Sequence, residues 1–563
     1  MRKFSLLLAI TAIVISAVFA YASSPSGIYS VDELELRLGS QAKLDNNLLK
    51  FDVEIIPNVS NINITNNLQP QNETAMAVNP ADTRNIIVSM NDFSNGLSGQ
   101  TIAFSKDGGL TWELRAAAKP ASNIYYIDPS VAFDSNGNAY IAYLAVKQGA
   151  QLKGTAIAVV KSTDGGNTWQ APVFVANNFD NSAYTHSRPF ISVNPANNNI
   201  LVSWVITEGQ NAYPVMAQSN NGGASFGSWV AVSNQNGAVR NAIAAADLAG
   251  NIYVAYFDLQ QSITYVAKST DNGVSFQTVH SFSVEQIGEA VGFRRILKGA
   301  VKVNSYPWIA VDNSETASQG NIYLVWADNR NGNADILMTK STDAGQSWSE
   351  PTVVNNDQTN LDQFFPTVAV DQATGALNIA FYDSRNDANN ELVDTYIAQS
   401  VDGGETFINQ RVSTASSNPK VGFDQGGQKF FGDYLAVTAY NNVVYSAFTD
   451  SREGNQEIFV ATFNKNGDEP AVNTATQFEL EQNYPNPFNP ATKIRFTLSE
   501  PATVTLRVYN NLGQVVATLI NNQLMDATAH EITFEGLNLP SGIYFYRLET
   551  PQYGSTKKML LNR

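Results

Sequence analysis

The sequence predicts an all-β protein, a β-propeller of seven repeat units (six being the alternative count) followed by a small immunoglobulin-like β-sandwich. Three observations point there. An eight-residue turn motif recurs six times, an alternating strand-turn-strand element recurs seven times, and after residue 464 the composition changes and a separate set of short strands begins. Repetition of a unit this long is the mark of a solenoid, propeller or array.

The turn motif reads SKDGGLTW from Ser105, STDGGNTW from Ser162, SNNGGASF from Ser219, STDNGVSF from Ser269, STDAGQSW from Ser341 and SVDGGETF from Ser400. Its third position is Asp107, Asp164, Asn221, Asp271, Asp343 or Asp402, a short polar side chain able to bond the backbone of its own turn. The glycines that follow admit positive φ. The closing aromatic, Trp112, Trp169, Phe226, Phe276, Trp348 or Phe407, is placed to anchor the turn in a core.

Upstream of each turn lies an apolar strand, a tight turn and an alternating strand, as in DPSVAFDSNGNAYIAYL from Asp128 and RNAIAAADLAGNIYVAYFD from Arg240. Such alternation signals half-buried strands. Counting this element at residues 75–92, 188–204 and 433–450 as well gives seven units, one more than the turn motifs. The seventh ends at Glu457–Asn464 without an outer strand, and FDVEIIPN at 51–58 resembles the missing one. Pairing it into the last unit would close the ring and remove exposed sheet edges.

The S-x-D-x-G-x-T-W motif resembles the Asp-box of sialidases and other propellers, and the resemblance covers about residues 50–463, with the propeller assigned to 51–464. Since it recurs from unit to unit, in six of the seven, the motif is read as structural. In the strand order it implies, the boxes lie on one rim and ligand sites on the opposite face. The sialidase resemblance implies an arginine triad for a substrate carboxylate, a Tyr/Glu pair, an Asp acid/base and an Arg-Ile-Pro string. That string is absent here, so no catalytic residue is assigned.

Candidate ligand-binding residues are those expected on the opposite face. Asp328-Asn329-Arg330, Asp383-Ser384-Arg385 and Asp450-Ser451-Arg452 place an arginine at the same point of three consecutive units. Arg330, Arg385 and Arg452 could hold a carboxylate in bidentate fashion, or could serve salt bridging between units. Arg188, Asp433 and Tyr434 begin innermost strands and fall near the axis. The longest insertion, 284–304, carries Glu285, Glu289, Arg294, Arg295, Lys298 and Lys302 and is expected either to bear function or to form a helical cap.

Composition narrows the partners. A formal net charge of −16 argues against nucleic acid or anionic lipid as ligand. The chain has no cysteine and three widely separated histidines, so neither thiol chemistry nor a multi-histidine zinc site is expected, and no metal or other cofactor is assigned. Arg2 and Lys3, the apolar run 4–19 and Ala20-Tyr21-Ala22 read as a signal peptide over 1–22, followed by an N-terminal segment to residue 50. No other stretch is long and apolar enough to span a membrane.

A polar linker is expected at 465–477. Beyond it, YPNPFNP at 484–490, the strand LPSGIYFYRLE and the terminal KKMLLNR resemble the C-terminal sorting domain of type IX secretion cargo, covering 478–563. The resemblance implies the type IX machinery as partner and a secreted or outer-membrane surface location in a Gram-negative bacterium. Two functions follow as expectations. The propeller binds glycan or protein ligands on its funnel face, an extracellular glycan or glycoprotein being the expected partner, or it is an extracellular exo-α-sialidase or related exo-glycosidase.

Overall fold

The computed structural model describes residues 59–562 apart from 67–68, 94–98, 118–123, 148–153, 180–183, 234–236, 293, 425–426, 465–478, 499–501, 512, 526–528, 538 and 551–552. The expected signal peptide, N-terminal segment and linker, and the segment 51–58, lie outside the described residues. Among these residues every regular element is a β-strand.

Seven four-stranded antiparallel sheets lie between residues 60 and 464, one for each repeat unit. Their innermost strands are Gln71–Asn79, Ile124–Phe133, Thr185–Val193, Val239–Ala246, Trp308–Val311, Gln363–Val370 and Ala436–Tyr440. Each of these packs against the next and the last against the first, so the sheets form a closed ring. Within a sheet the chain runs outward strand by strand. The second strands are almost continuously buried, as in Ile252–Asp258 and Ile322–Asp328, because sheets cover both of their faces.

Closure comes from the N-terminal side, with a different segment from the one expected. Ser60–Asn63 pairs with Glu457–Asn464 as the outer strand of the seventh sheet, Ser60 opposite Thr462 and Asn63 opposite Phe459. The four residues SNIN carry too little alternation to be read as a strand, and the backbone ladder with its long neighbour supplies the pairing. The Asn61 amide adds a bond to Val412 O at 2.8 Å.

The six repeated turns sit on the rim beside the first tight turn of each sheet. In the first, Ser105 Oγ donates to Asp107 Oδ1 at 2.8 Å and accepts from Gly109 N at 2.8 Å. Thr111 donates its N–H to Asp107 Oδ1 (2.9 Å) and its hydroxyl to Oδ2 (2.5 Å). The same bonds recur at Asp164, Asp271, Asp343 and Asp402. The closing aromatics are partly buried, Trp112, Trp169, Phe226, Phe276, Trp348 and Phe407 each against a different apolar cluster.

These turns also rivet neighbouring sheets. A carbonyl within the turn accepts a side-chain bond from the preceding sheet: Gly165 O from Asn85 (2.9 Å), Gly222 O from Lys161 (3.0 Å), Asn272 O from Gln218 (2.7 Å), Ala344 O from Lys268 (2.8 Å) and Gly403 O from Lys340 (2.7 Å).

The insertion at 284–304 is not a helical cap. It folds into a three-stranded meander, Glu289–Val291, Arg294–Leu297 and Val301–Val303, turned at Gly292 and at Lys298-Gly299, all with φ near +60° to +70° or, for Lys298, +53°. The turn residues and β-branched Ile296, Val301 and Val303 favour strands over a helix. Lys298 is fully buried and fully satisfied, by Asp362, Ser384 Oγ and both oxygens of Asn390, which pins the meander to the sixth sheet.

The C-terminal region is a sandwich of its own. One sheet holds Glu479–Leu480, Ala491–Thr497 and Ala529–Glu535, and the other runs Val515–Met525, Ala502–Tyr509, Gly542–Glu549, Gly554–Leu561. Strict alternation in Ala502–Tyr509 sends Val504, Leu506 and Val508 into a core with Phe488, Phe496 and Tyr546.

Candidate functional site

Five of the innermost strands share a β-bulge close to their start. Register shifts occur at Asn72/Ala75, Ile127/Ser130, Ser187/Phe190, Arg240/Ile243 and Phe364/Thr367. The first bulged residue has positive φ in every case: Glu73 (54°), Asp128 (53°), Arg188 (50°), Asn241 (57°) and Phe365 (54°). None is glycine, so each holds a costly backbone conformation, of the order of 1 kcal/mol or more. Three of the second bulged residues are proline (129, 189 and 366), which has no N–H to lose from the ladder. A bulge turns a side chain out of the strand's alternation. Tyr306 and Asp433 stand at the same point of the two remaining units, ahead of Pro307-Trp308 and Tyr434-Leu435.

The charged members of this column meet near the axis. Arg188 Nη2 bonds Asp433 Oδ2 from 245 residues away, and Lys302 Nζ reaches the same oxygen at 3.0 Å from the insertion. Asn304 Nδ2 donates to Asp433 O at 3.0 Å, and the Arg188 guanidinium lies 5.0 Å from the Tyr306 ring centre. Asn91 connects Glu73 and Asp128, donating to Glu73 Oε2 at 2.6 Å and accepting from Asp128 N at 3.1 Å. Lys302 also lies 4.6 Å from the Phe430 ring.

Burial shapes the protonation of this cluster. Glu73 is 2% exposed, and burial, then the Asp128 charge, pushes its carboxyl up to about 8 against the opposing pull of Arg188, Lys302 and Asn91. Burial and Arg188 bring the Lys302 ammonium down to about 8, although Glu73 and Asp128 resist. Burial pushes the Tyr434 phenol well above its ordinary range, helped by Glu73 and Asp128, and its hydroxyl donates to Pro129 O at 3.1 Å.

Below the charged layer the axis is aromatic and then hollow. Phe190 and Trp308 meet edge to face at 4.9 Å, and Tyr434 closes the group at 6.0 Å from Trp308. Beneath them the innermost strands line a channel of about 390 Å³. The axis therefore carries a charged layer, its Arg188 and Lys302 side chains partly exposed, next to an aromatic group and the channel. Among the described residues no group of three or more His, Asp or Glu side chains could hold a metal ion.

Of the residues singled out in the sequence, Arg188, Asp433 and Tyr434 are brought together here. Arg330, Arg385 and Arg452 are placed elsewhere, each folded back on the aspartate two residues before it. Arg330 bonds both oxygens of Asp328 (2.9 and 2.8 Å), Arg385 bonds Asp383 (2.8 Å) and Arg452 bonds Asp450 (2.9 and 2.6 Å). Their remaining N–H groups reach the outer strands and loops, Ser283 O, Asn356 and Asn409, and Thr414 and Asn61. They do not converge at the axis cluster. His186 is buried, accepts from Trp204 Nε1 at 2.9 Å and is lowered to about 4 by that burial.

Glu73, Asp128, Tyr306 and Asn91 were not singled out as site residues in the sequence, and Lys302 was named only among the charges of the insertion. A signal for them exists: aligned on the innermost strand, the seven units read Glu73, Asp128, Arg188, Asn241, Tyr306, Phe365 and Asp433 in one column. That column varies in charge and polarity from unit to unit.

Residues 482–562 match the family described as "Secretion system C-terminal sorting domain". The C-terminal region is a sorting domain. It addresses the protein through type IX secretion to the cell surface or the extracellular space. No curated protein matches the chain. Among solved structures, the Hadza microbial sialidase Hz136 is 13% identical over 56% of this chain and 64% of its own, with a TM-score of 0.40. The NanB sialidase from Streptococcus pneumoniae is 10% identical over 73% and 94% (TM-score 0.40). The GH93 alpha-L-arabinofuranosidase of Fusarium graminearum is 11% identical over 72% and 97% (TM-score 0.40).

Proposed function

We propose that this is a secreted or cell-surface propeller that takes a glycan, free or on a glycoprotein, in the cup formed by Glu73, Asp128, Arg188, Lys302 and Asp433. One observation carries the reading: among the described residues a charged cluster drawn from four units and the insertion is built on positions that differ between units, three of them (Glu73, Asp128 and Arg188) at positive φ, while the repeated positions serve the sheets themselves. Its chemistry suits a sugar. Carboxylates, a guanidinium and an ammonium offer acceptors and donors for hydroxyls, and the Tyr306 and Phe430 rings offer apolar faces for C–H groups.

The test is a glycan array read with the purified chain, with Asp433→Asn and Lys302→Met as axis variants and Thr406→Ala as a rim variant. Specific binding by the parent chain, reduced at least about tenfold in the axis variants and unchanged in the rim variant, is expected. Axis variants that bind as the parent does would overturn the reading. Arg330→Ala, Arg385→Ala and Arg452→Ala are expected to melt earlier and keep binding.

A further inference from the structure

Resting on the reading of the cup as a glycan site, we propose that Glu73 and Asp128 are the acid and the base of a hydrolytic centre that cleaves uncharged glycosides. The two occupy the same bulge position of adjacent sheets, and Asn91 holds both, the Glu73 carboxyl through its amide N–H and the Asp128 backbone through its amide oxygen. Their surroundings differ as the two roles require. Glu73 is walled in, with Gly432 so close that a Cβ there would stand 3.1 Å from Glu73 N, and its raised carboxyl keeps a proton at neutral pH. Asp128 is half-buried, where Glu73 is wholly buried.

The third carboxylate is occupied. Asp433 Oδ2 bonds Arg188 and Lys302 at once, so both axis cations already hold a carboxylate of the protein in the place where a sugar carboxylate would bind. The Asp-x-Arg arginines are held by their own aspartates and lie away from the axis cluster. The arrangement thus favours an uncharged ring over a sialic or uronic acid.

The reaction balances with water alone. Glu73 gives its proton to the glycosidic oxygen as the bond from that oxygen to the anomeric carbon breaks, and the alcohol leaves. Asp128 takes a proton from the water whose oxygen bonds to the anomeric carbon, giving the hemiacetal. Solvent then returns the proton from Asp128 to Glu73. No oxidant, metal or further reactant enters.

The experiment uses 4-nitrophenyl and 2,4-dinitrophenyl glycosides of neutral pentoses and hexoses, with a 4-methylumbelliferyl sialoside and glucuronide beside them. Every array glycan that binds is also assayed for released reducing sugar. Turnover of neutral glycosides is expected, with kcat/KM falling on the alkaline side near pH 8 as Glu73 loses its proton. Glu73→Gln should lose about 10³-fold on 4-nitrophenyl substrates and far less on 2,4-dinitrophenyl ones, whose leaving group needs no proton. Asp128→Asn should lose activity on both alike.

Equal loss on both leaving groups in Glu73→Gln, or no loss, overturns the assignment of the acid. Turnover confined to the sialoside or glucuronide overturns the substrate class. Glycan binding without any turnover removes the chemistry and leaves the binding site standing, whereas neither binding nor turnover removes both. If Glu73→Gln melts early, the parent's own profile decides, and a flat kcat/KM between pH 6 and 9 counts against the proposal.

Discussion

The rim of the ring and its axis are built on opposite rules. At the rim the same turn is written six times around the same serine, five times with the same carboxylate bonds and five times with a carbonyl offered to the preceding sheet. At the axis the corresponding position of each unit holds a different kind of residue, and only Asp128 and Asp433 share one. A residue that recurs in each unit answers a need of each unit, namely closing a hairpin and gripping a neighbour. A residue that differs between units, at a strained bulge whose backbone does recur, answers a need of the molecule. Breaking one end should therefore disturb stability alone, and breaking the other should disturb the ligand as well.

The largest effect is expected at Asp433. Asp433→Ala leaves Arg188 and Lys302 without their shared carboxylate, with side-chain exposures of only 14% and 20%. Breaking a buried pair in this way costs about 3 kcal/mol or more. Urea unfolding should show the loss, and the array should show ligand binding gone. Undiminished stability would mean that water already screens the axis, and the contrast with the rim would collapse.

Next comes the pH dependence of stability. The folded Glu73 carboxyl lies near 8 and the unfolded one near 4.5, so between these values the folded chain holds a proton that the unfolded chain has released. Its contribution is fully present below pH 4.5 and is lost as pH rises through 8. Lys302, lowered to about 8 from 10.5, acts in the opposite direction above pH 8, where the folded chain has released a proton that the unfolded one keeps. His186, lowered to about 4 from 6.5, makes stability rise with pH across that interval and so opposes Glu73 there. Comparing Glu73→Gln with the parent isolates the carboxyl: between pH 5 and 8 the parent should lose stability relative to the variant. Parallel curves would show that Glu73 ionises as an ordinary surface carboxyl does.

At the rim, Ser162→Ala removes the acceptor of Gly166 N and one donor to Asp164 in a residue with no exposed surface. A buried N–H left unpaired costs about 2 kcal/mol. Thermal melting should register it, while glycan binding stays at the parent's level. Loss of binding in this variant would show that a rim turn shapes the cup.

This division also explains what was legible in the sequence. The ring could be read because its evidence is repetitive: the turns, the alternation and the missing seventh outer strand all follow from counting. The closing strand was misplaced because Ser60–Asn63 is short and polar and owes its strand to the partner Glu457–Asn464. The insertion was misjudged because a cluster of charges suggests a helix surface, whereas Gly292 and Gly299 turn it into a meander. Half of the axis cluster stayed hidden for a plainer reason. Glu73, Asp128 and Lys302 have no local motif, and only the ring brings residues 73, 128, 302 and 433 together.

The smallest effect is expected where the rim departs from its own rule. In five turns the third residue is Asp, and its second oxygen accepts a hydroxyl at 2.5 to 2.6 Å. In the third turn Asn221 instead donates from Nδ2 to Ser225 Oγ at 2.8 Å, which forces that hydroxyl to act as acceptor. Asn221→Asp reverses the bond and makes it charge-assisted, with the Lys161 ammonium close by on Gly222 O. The turn is at the surface, where such gains are screened, so stability should rise by less than about 1 kcal/mol and binding should not change. A calorimetric scan reads the difference. A lower melting temperature would mean that the turn was built around the amide, and that even the repeated rim carries an individual solution in one unit.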